Sequence, residues 1–400
     1  VFTPEPSEGR KTIKGSKNYT FAKLLTGAKK LFSEMKIGIL GTRGIPNVYG
    51  GFEQFAQYLA LGLVRKGYDV YVYNSSEHPY RDKEWKGIHI VHCGDWEKRI
   101  GTAGQFFYDY NCFRDAAGRH FDVLLQLGYT SSSIWRRLWP RDAVNIINMD
   151  GLEWKRSKYN KLTRKFLRHA EGWAVKHGDI LVADSIGIQD YIRGEYGRSS
   201  VFIPYGAEIP EQFDPEVPGR YGLGRGDYSL LMARMEPENN IEMIIRGWMA
   251  SRKTRPLVLI GNTGNSFGQY LEKTYKDERL RFIGAIYDSG TVNALRHYSA
   301  LYFHGHSVGG TNPSLLEAMA CGCNIAAHDN SFNRAILGED AGYFSSAGGV
   351  GDLLVADVAE AVIRCSKERN REKILRLYSW EKIIGQYEQL FAGTVSGNPF

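Results

Sequence analysis

One pattern, occurring in two series, constrains this chain more than any other: a short buried apolar run, a turn often rich in glycine, then a helical stretch. The first series starts at Lys36-Ile-Gly-Ile-Leu40 and continues at Asp69–Tyr73, Ile88–Val91, Val123–Leu125, Val144–Ile147 and Ile180–Ala183. The second starts at Tyr228–Ala233 and continues at Leu257–Ile260, Leu280–Ile283, Ala300–Phe303 and Asn324–Ala327. Short apolar runs alternating with helices fit strands of parallel sheets covered on both faces. The expected fold class is α/β, two doubly wound parallel-sheet domains facing a central cleft. Val201–Pro210, a strand running into turn residues, is the expected hinge. The expected division is an extension of uncertain order at 1–34, a first domain at 35–205, a second at 206–375 and a C-terminal helix within 376–400. Ligands of such sheets sit beyond the carboxyl ends of the strands, so the cleft is where chemistry is expected.

The segment richest in chemistry is His304-Gly-His-Ser-Val-Gly-Gly-Thr-Asn-Pro-Ser-Leu-Leu-Glu-Ala-Met-Ala320. A strand ends at Phe303, Gly309 and Gly310 permit a tight turn, and Pro313 sits where a first helical turn tolerates proline. The N–H groups and positive dipole end of the new helix would face an anion such as a diphosphate. Glu317, one turn in, is placed to reach a ribose or deoxyribose hydroxyl. His304, His306 and His328 lie nearby, as phosphate or sugar ligands or as packing residues.

This segment resembles the donor-site signature of family 4 glycosyltransferases, retaining enzymes of the GT-B fold with two Rossmann-like domains. In that signature, glutamates at the positions of Gly309 and Glu317 precede Ala-Met-Ala; here only Glu317 is present, and Ser314 replaces the usual proline. The Ser-Val-Gly-Gly-Thr-Asn-Pro-Ser run and the Gly-Thr-Arg-Gly-Ile-Pro run at 41–46 are similar to a bacterial rhamnosyltransferase-like subgroup that builds surface polysaccharides. The resemblance spans Met35 to about Phe391. It implies that the terminal helix crosses back to the first domain.

The loop Gly41-Thr-Arg-Gly-Ile-Pro-Asn-Val-Tyr-Gly-Gly-Phe-Glu53 also follows a strand and opens a helix. Gly38, Gly41 and Gly44 lack the dinucleotide fingerprint spacing, and the second strand ends in Tyr73-Asn74 without an acidic ribose ligand, so nicotinamide binding is not expected. Arg234 ends the first strand of the second series, where a guanidinium can clamp a diphosphate; a surface ion pair is the competing reading. The resembling family has a lysine where Asn239 stands. Asp150, in Asn148-Met-Asp-Gly151, follows a strand at the cleft edge where many relatives have histidine. It is placed to act as a general base, or to cap the turn before Gly151.

The resemblance thus implies catalytic roles for Asp150 and Arg234. It implies donor contacts from Gly41, Gly50, Gly51, Arg234, Asn239, Gly309, Gly310, Thr311, Asn312, Ser314, Leu315 and Glu317. Acceptor contacts fall to Arg43, Glu53 and Glu153. The implied reaction moves a hexosyl group, rhamnosyl from dTDP-rhamnose in the subgroup, from a nucleotide-diphosphate sugar to a lipid-linked glycan acceptor. A sugar-nucleotide epimerase of the same architecture and a non-catalytic nucleotide-sugar-binding subunit are the alternatives.

A net charge of +7 over 400 residues suits an anionic partner, whether nucleotide sugar, phospholipid or nucleic acid. No nucleic-acid-binding motif accompanies it. Lys155, Arg156, Lys158, Lys161, Arg164, Lys165 and Arg168 interleave with Tyr159, Leu162, Phe166 and Leu167, as in helices that lie on anionic lipid, or as a solvated face. Trp135-Arg-Arg-Leu-Trp-Pro-Arg141 would extend that surface. Residues 21–32 read either as a short basic amphipathic helix or as part of a leader. Five cysteines without a Cys-x-x-Cys pair favour a reducing cytoplasm, at the inner face of the membrane if peripheral, with Cys321 and Cys323 as core. There is no Asp-x-Asp pair and no His or Cys cluster, so neither a metal nor another cofactor is expected.

Overall fold

The computed structural model describes residues 35–48, 50–156, 159–251, 253–355 and 366–396. The readings on 1–34 and on Lys158 fall outside them. Strands β1 (Lys36–Leu40), β2 (Asp69–Ser75), β3 (Glu84–Trp85), β4 (Ile88–Cys93), β5 (Val123–Leu127), β6 (Val144–Asn148), β7 (Ile180–Ala183) and β8 (Val201–Phe202) build an eight-stranded sheet in the order β3-β4-β2-β1-β5-β6-β7-β8. Strands β9 (Ser229–Met232), β10 (Leu257–Ile260), β11 (Leu280–Phe282), β12 (Leu301–His304), β13 (Ile325–His328) and β14 (Gly342–Phe344) build a six-stranded sheet in the order β11-β10-β9-β12-β13-β14. All pairings are parallel except β3 on β4.

Every residue of β5, β10 and β12 is buried, because helices cover both faces of each sheet. The helices used below are α1 (Gly51–Arg65), α2 (Glu97–Ile100), α3 (Gly104–Ala116), α4 (Lys161–His177), α5 (Ile186–Tyr196), α6 (Ser289–His297), α7 (Pro313–Ala320) and α8 (Trp380–Ser396). The sequence reading contains neither β3 nor β14. Both are edge strands too short to show a period, held by one neighbour each.

The last helix, α8, lies on α1 of the first sheet's layer. Ile383, Tyr387, Leu390 and Phe391 form its buried stripe, at the spacing of one helix face. Phe55 of α1 meets Tyr387 at 5.4 Å and Trp380 at 6.0 Å, while Tyr58 stacks on Trp380 at 4.6 Å. Such aromatic pairs contribute about 0.5–1.5 kcal/mol each beyond the area they bury. A side chain on Gly62 would overlap Ile384, so glycine sets how closely the two helices approach. Lys66 and Glu388 close the far end at 2.6 Å. An isolated parallel bridge between Ala207 and Ser379 ties the interdomain connection to the start of this helix.

Candidate active site

In each sheet the strand order reverses beside its first strand. β1 pairs with β2 on one side and β5 on the other, and β9 pairs with β10 and β12. A crevice opens at such a switch point, between loops leaving in opposite directions. The loops after β1 (41–50), β9 (233–240) and β12 (305–312) therefore all leave strands that flank a switch, and the loop after β6 carries Asp150. The cleft faces approach closely: a side chain on Gly151 would stand 3.0 Å from Gly309 Cα, and one on Gly51 would stand 3.7 Å from Pro313 Cγ.

On the second-domain side, Gly309 adopts φ +130°, a region that favours glycine, and a side chain there would meet no atom within 4 Å. Gly310 has a different reason to lack a side chain, since a Cβ would overlap the carboxylate of Asp184 from the first domain. Thr311 is buried; its amide donates to Asp184 Oδ2 at 3.0 Å and its hydroxyl to the Asp184 carbonyl. Asn312 caps α7, accepting from the Ser314 amide at 2.9 Å, with Pro313 as the first helical residue. The expectation of bare amides at this helix end is corrected accordingly. Two of the donors, at Thr311 and Ser314, are engaged by side chains, which leaves the dipole and the glycine turn to face an anion.

Leu315 is fully buried and anchors α7. Ser314 Oγ meets Tyr302 Oη at 2.7 Å. Glu317 uses both oxygens: Oε2 pairs with Arg296 Nη2 at 2.7 Å, and Oε1 accepts from Gln54 Nε2 of the first domain at 3.0 Å. Arg234 is exposed, and among the described residues no carboxylate forms an ion pair with it. Its charge nonetheless lowers the proton affinity of Asp150 and of His306. Asn239 is buried and donates to the Arg234 carbonyl at 2.7 Å, so it shapes the turn that presents the guanidinium.

On the first-domain side, Gly41 (φ +87°) lets the loop pass against Leu127 of β5. Gly50 and Gly51 open α1. Glu53 is buried and accepts from the Arg43 amide at 2.8 Å and from Thr42 Oγ1 at 3.3 Å. These bonds tie the loop back to the first turn of the helix. Arg43 makes a two-pronged contact with Glu97 of α2, Nε to Oε2 at 2.9 Å and Nη2 to Oε1 at 2.6 Å. Glu153 pairs with Arg156 at 2.6 Å.

Asp150 has φ +46°, a conformation that costs an L-residue about 1 kcal/mol and that Asn148 supports by accepting from the Asp150 amide at 3.0 Å. Burial raises its carboxyl above the ordinary range, opposed by Arg156, a hydrogen bond from Gly151 and Arg234. His304 and His306 stack at 4.5 Å below the turn. Burial pushes His306 down to about 3, with Arg234 and Arg156 adding to the shift, and pushes His304 well down too; both imidazoles are neutral. Cys321 and Cys323 are buried free thiols, and His328 contacts Asn330 at 3.2 Å. Among the described residues no group of His, Cys, Asp or Glu is arranged to hold a metal ion.

The sequence reading missed three residues. Gln54 and Arg296 gave no signal, being an ordinary helix-surface polar residue and one basic residue of α6. Asp184 did carry one: like Asp150 two residues beyond β6, it is an acid just past a buried strand, at the end where ligands collect.

Two facing parallel α/β domains with their loops meeting at paired switch points define the GT-B fold. Residues 222–374 match the family described as glycosyl transferases group 1, and residues 134–208 match a domain of unknown function, DUF1972. The second domain thus carries the group 1 glycosyltransferase match and the first carries the DUF1972 segment, in a chain of GT-B fold. No curated protein matches it. Among solved structures it is similar to sucrose-phosphate synthase of Thermosynechococcus elongatus, at 15% identity and TM-score 0.75 over 91% of this chain and 100% of that one. HepE of Anabaena, solved with UDP and glucose, gives 15% and 0.68 over 90% and 100%. A UDP-forming α,α-trehalose-phosphate synthase of Burkholderia vietnamiensis gives 14% and 0.64 over 89% and 99%. At these identities the likeness is one of fold.

Proposed function

We propose that this glycosyltransferase moves a hexosyl group, rhamnosyl from dTDP-rhamnose in the leading reading, onto a lipid-linked glycan acceptor at the cytoplasmic face of a membrane, for surface polysaccharide. The observation that carries the reading is Arg234: an exposed guanidinium with no ion-pair partner among the described residues, at a switch-point loop beside Asp150 and the Gly309–Asn312 turn. A nucleoside diphosphate supplies the missing anion. HepE, of the same fold, is described with UDP-glucose.

Transfer follows a front-face course. The bond from the anomeric carbon to the diphosphate oxygen breaks while the acceptor hydroxyl bonds the same face, which retains configuration. Asp150 takes the hydroxyl proton, Arg234 and the α7 dipole stabilise the departing diphosphate, and Glu317 holds the nucleotide end. Arg43 and Glu153 border the acceptor side, Glu53 supports it from behind, and no metal is required.

Membrane contact draws support from α4, whose single acid, Glu171, is buried, while Lys161, Lys165 and Arg168 are exposed and Leu162 is 80% exposed. Nearby, Phe106 of α3 packs on Phe166 of α4 at 5.7 Å, and the exposed rings of Trp96 and Phe107 stack at 4.8 Å. No helix among the described residues is long and apolar enough to cross a membrane.

The test is a thermal-shift screen of dTDP-, UDP- and GDP-sugars, followed by nucleotide release with and without a lipid-linked acceptor. Selective stabilisation with acceptor-dependent release is expected. Turnover without acceptor would indicate an epimerase or hydrolase, and binding without release a non-catalytic subunit.

A further inference from the structure

Asp184 directly follows β7 of the first domain, yet its side chain belongs to the donor loop of the second. It is 1% exposed. Oδ2 accepts from the Thr311 amide at 3.0 Å, and the Thr311 hydroxyl donates to the Asp184 carbonyl, so loop and strand end are clasped at two points. The second oxygen, Oδ1, is buried and has no hydrogen-bond partner. A Cβ on Gly310 would overlap the whole carboxylate, Oδ1 most closely, so this oxygen lies directly against the glycine turn. The adjacent position, Gly309, has nothing within 4 Å of where its side chain would begin. A buried carboxylate oxygen without a donor thus lies against the glycine turn that closes on the cleft.

Leaving a buried carboxylate oxygen unsatisfied is costly, and native structures seldom do so without a ligand or water to fill the gap. The chemistry of the missing partner is narrow. A phosphate oxygen would bring a second acceptor to an oxygen that needs a donor, at a site where burial first and the Asp150 charge second already oppose ionisation of Asp184. A metal would need further ligands, and no such cluster occurs among the described residues. What remains is a neutral donor, and a sugar hydroxyl is the donor that this cleft would receive.

We propose that Asp184 accepts a hydrogen bond through Oδ1 from a hydroxyl of the transferred sugar, making it a specificity-determining residue that the first domain contributes to the donor site. The proposal rests on the donor reading given under the proposed function. It also explains why position 310 is glycine: any side chain there would displace the reading carboxylate.

The experiment measures calorimetric affinities of the full chain for UDP, dTDP, UDP-glucose, dTDP-rhamnose and single-deoxy analogues of whichever sugar binds, in the wild type, Asp184→Asn and Asp184→Ala. Asn keeps the Thr311 contact through its carbonyl and replaces the acceptor facing the sugar by an amide; melting curves check that both variants fold. The expected result is a selective loss. In Asp184→Asn, which keeps the Thr311 contact, nucleoside diphosphate affinity stays within about twofold while nucleotide-sugar affinity falls roughly ten- to hundredfold, the range for a hydrogen bond to a charged group, and Asp184→Ala loses nucleotide-sugar affinity at least as much. One deoxy analogue should bind the wild type correspondingly weakly and lose no more in the variant. Equal weakening of diphosphate and nucleotide sugar in Asp184→Asn would overturn the proposal and make Asp184 a clasp for the loop alone. Unchanged affinities would overturn it in favour of a bound water. A wild type that binds nucleoside diphosphate but no nucleotide sugar would sink the donor reading itself, and this proposal with it.

Discussion

Arg296 and Glu317 form an ion pair at 2.7 Å in which the arginine side chain is only 2% exposed and the glutamate remains partly open to the cleft. Arg296 therefore holds from below a carboxylate whose other oxygen is tied to Gln54 across the domain boundary. Removing one partner of such a pair strands a buried charge. Glu317→Ala should lose roughly 3 kcal/mol of stability, read from urea unfolding, as well as nucleotide affinity. Glu317→Gln keeps an acceptor for Arg296 and should lose less stability while still weakening the nucleotide in calorimetry. Full retention of nucleotide affinity in Glu317→Gln would remove Glu317 from the donor site.

Asp150 must be ionised to take a proton, and its carboxyl is raised by burial. Activity should therefore fall as the pH drops through a value above the ordinary aspartate range. Asp150→Asn should lower kcat by about 10²- to 10⁴-fold and abolish that acid limb. Arg234 lowers the proton affinity of Asp150, so the limb should move to higher pH in Arg234→Ala. A pH–rate profile of both variants checks this, and an unchanged limb in Asp150→Asn would assign it elsewhere.

Arg234→Ala should also weaken UDP or dTDP binding by about ten- to hundredfold, as expected for a lost charge-assisted hydrogen bond. Nucleoside monophosphate affinity should change less, since the guanidinium is assigned to the diphosphate. Titration of both nucleotides against the two proteins measures the difference.

Asp109 of α3 is buried, and burial pushes its carboxyl up to about 7. A raised carboxyl favours the folded state while it stays protonated. That contribution is complete below the ordinary aspartate value near 3.9 and is lost as the pH rises through about 7. Asp109→Asn should flatten the stability profile over this window and raise the melting temperature at pH 8 relative to wild type. An equal shift of the melting temperature at pH 4 and pH 8 would argue against titration as the cause.

Much of the architecture was legible because buried parallel strands must be apolar on both faces. Runs such as Leu257–Ile260 are short, wholly apolar and bounded by turn residues, which fits a buried strand, and the first strand after Met35 is equally plain. The edge strands at Glu84–Trp85 and Gly342–Phe344 escaped because a few residues carry no period. Within the site, the glycine turns, Arg234 and Asp150 stood out by residue type and by position after strands. The resemblance gave Glu53 an acceptor contact, and the structure adds that one of its carboxylate oxygens accepts from the Arg43 amide. A side chain's direction depends on neighbours that the local sequence does not specify.

The sequence by itself determined the two-sheet α/β plan, the glycine turns and the positions where charge meets the strand ends, because periodicity and backbone permissiveness are local properties. Only the tertiary structure decided which groups are shared between the domains. Asp184 reaches Thr311, Gln54 reaches Glu317, and α8 returns to α1 across more than three hundred residues of chain. Such pairings depend on how the two sheets pack, and packing is settled by shape and burial over the whole molecule rather than by any one segment.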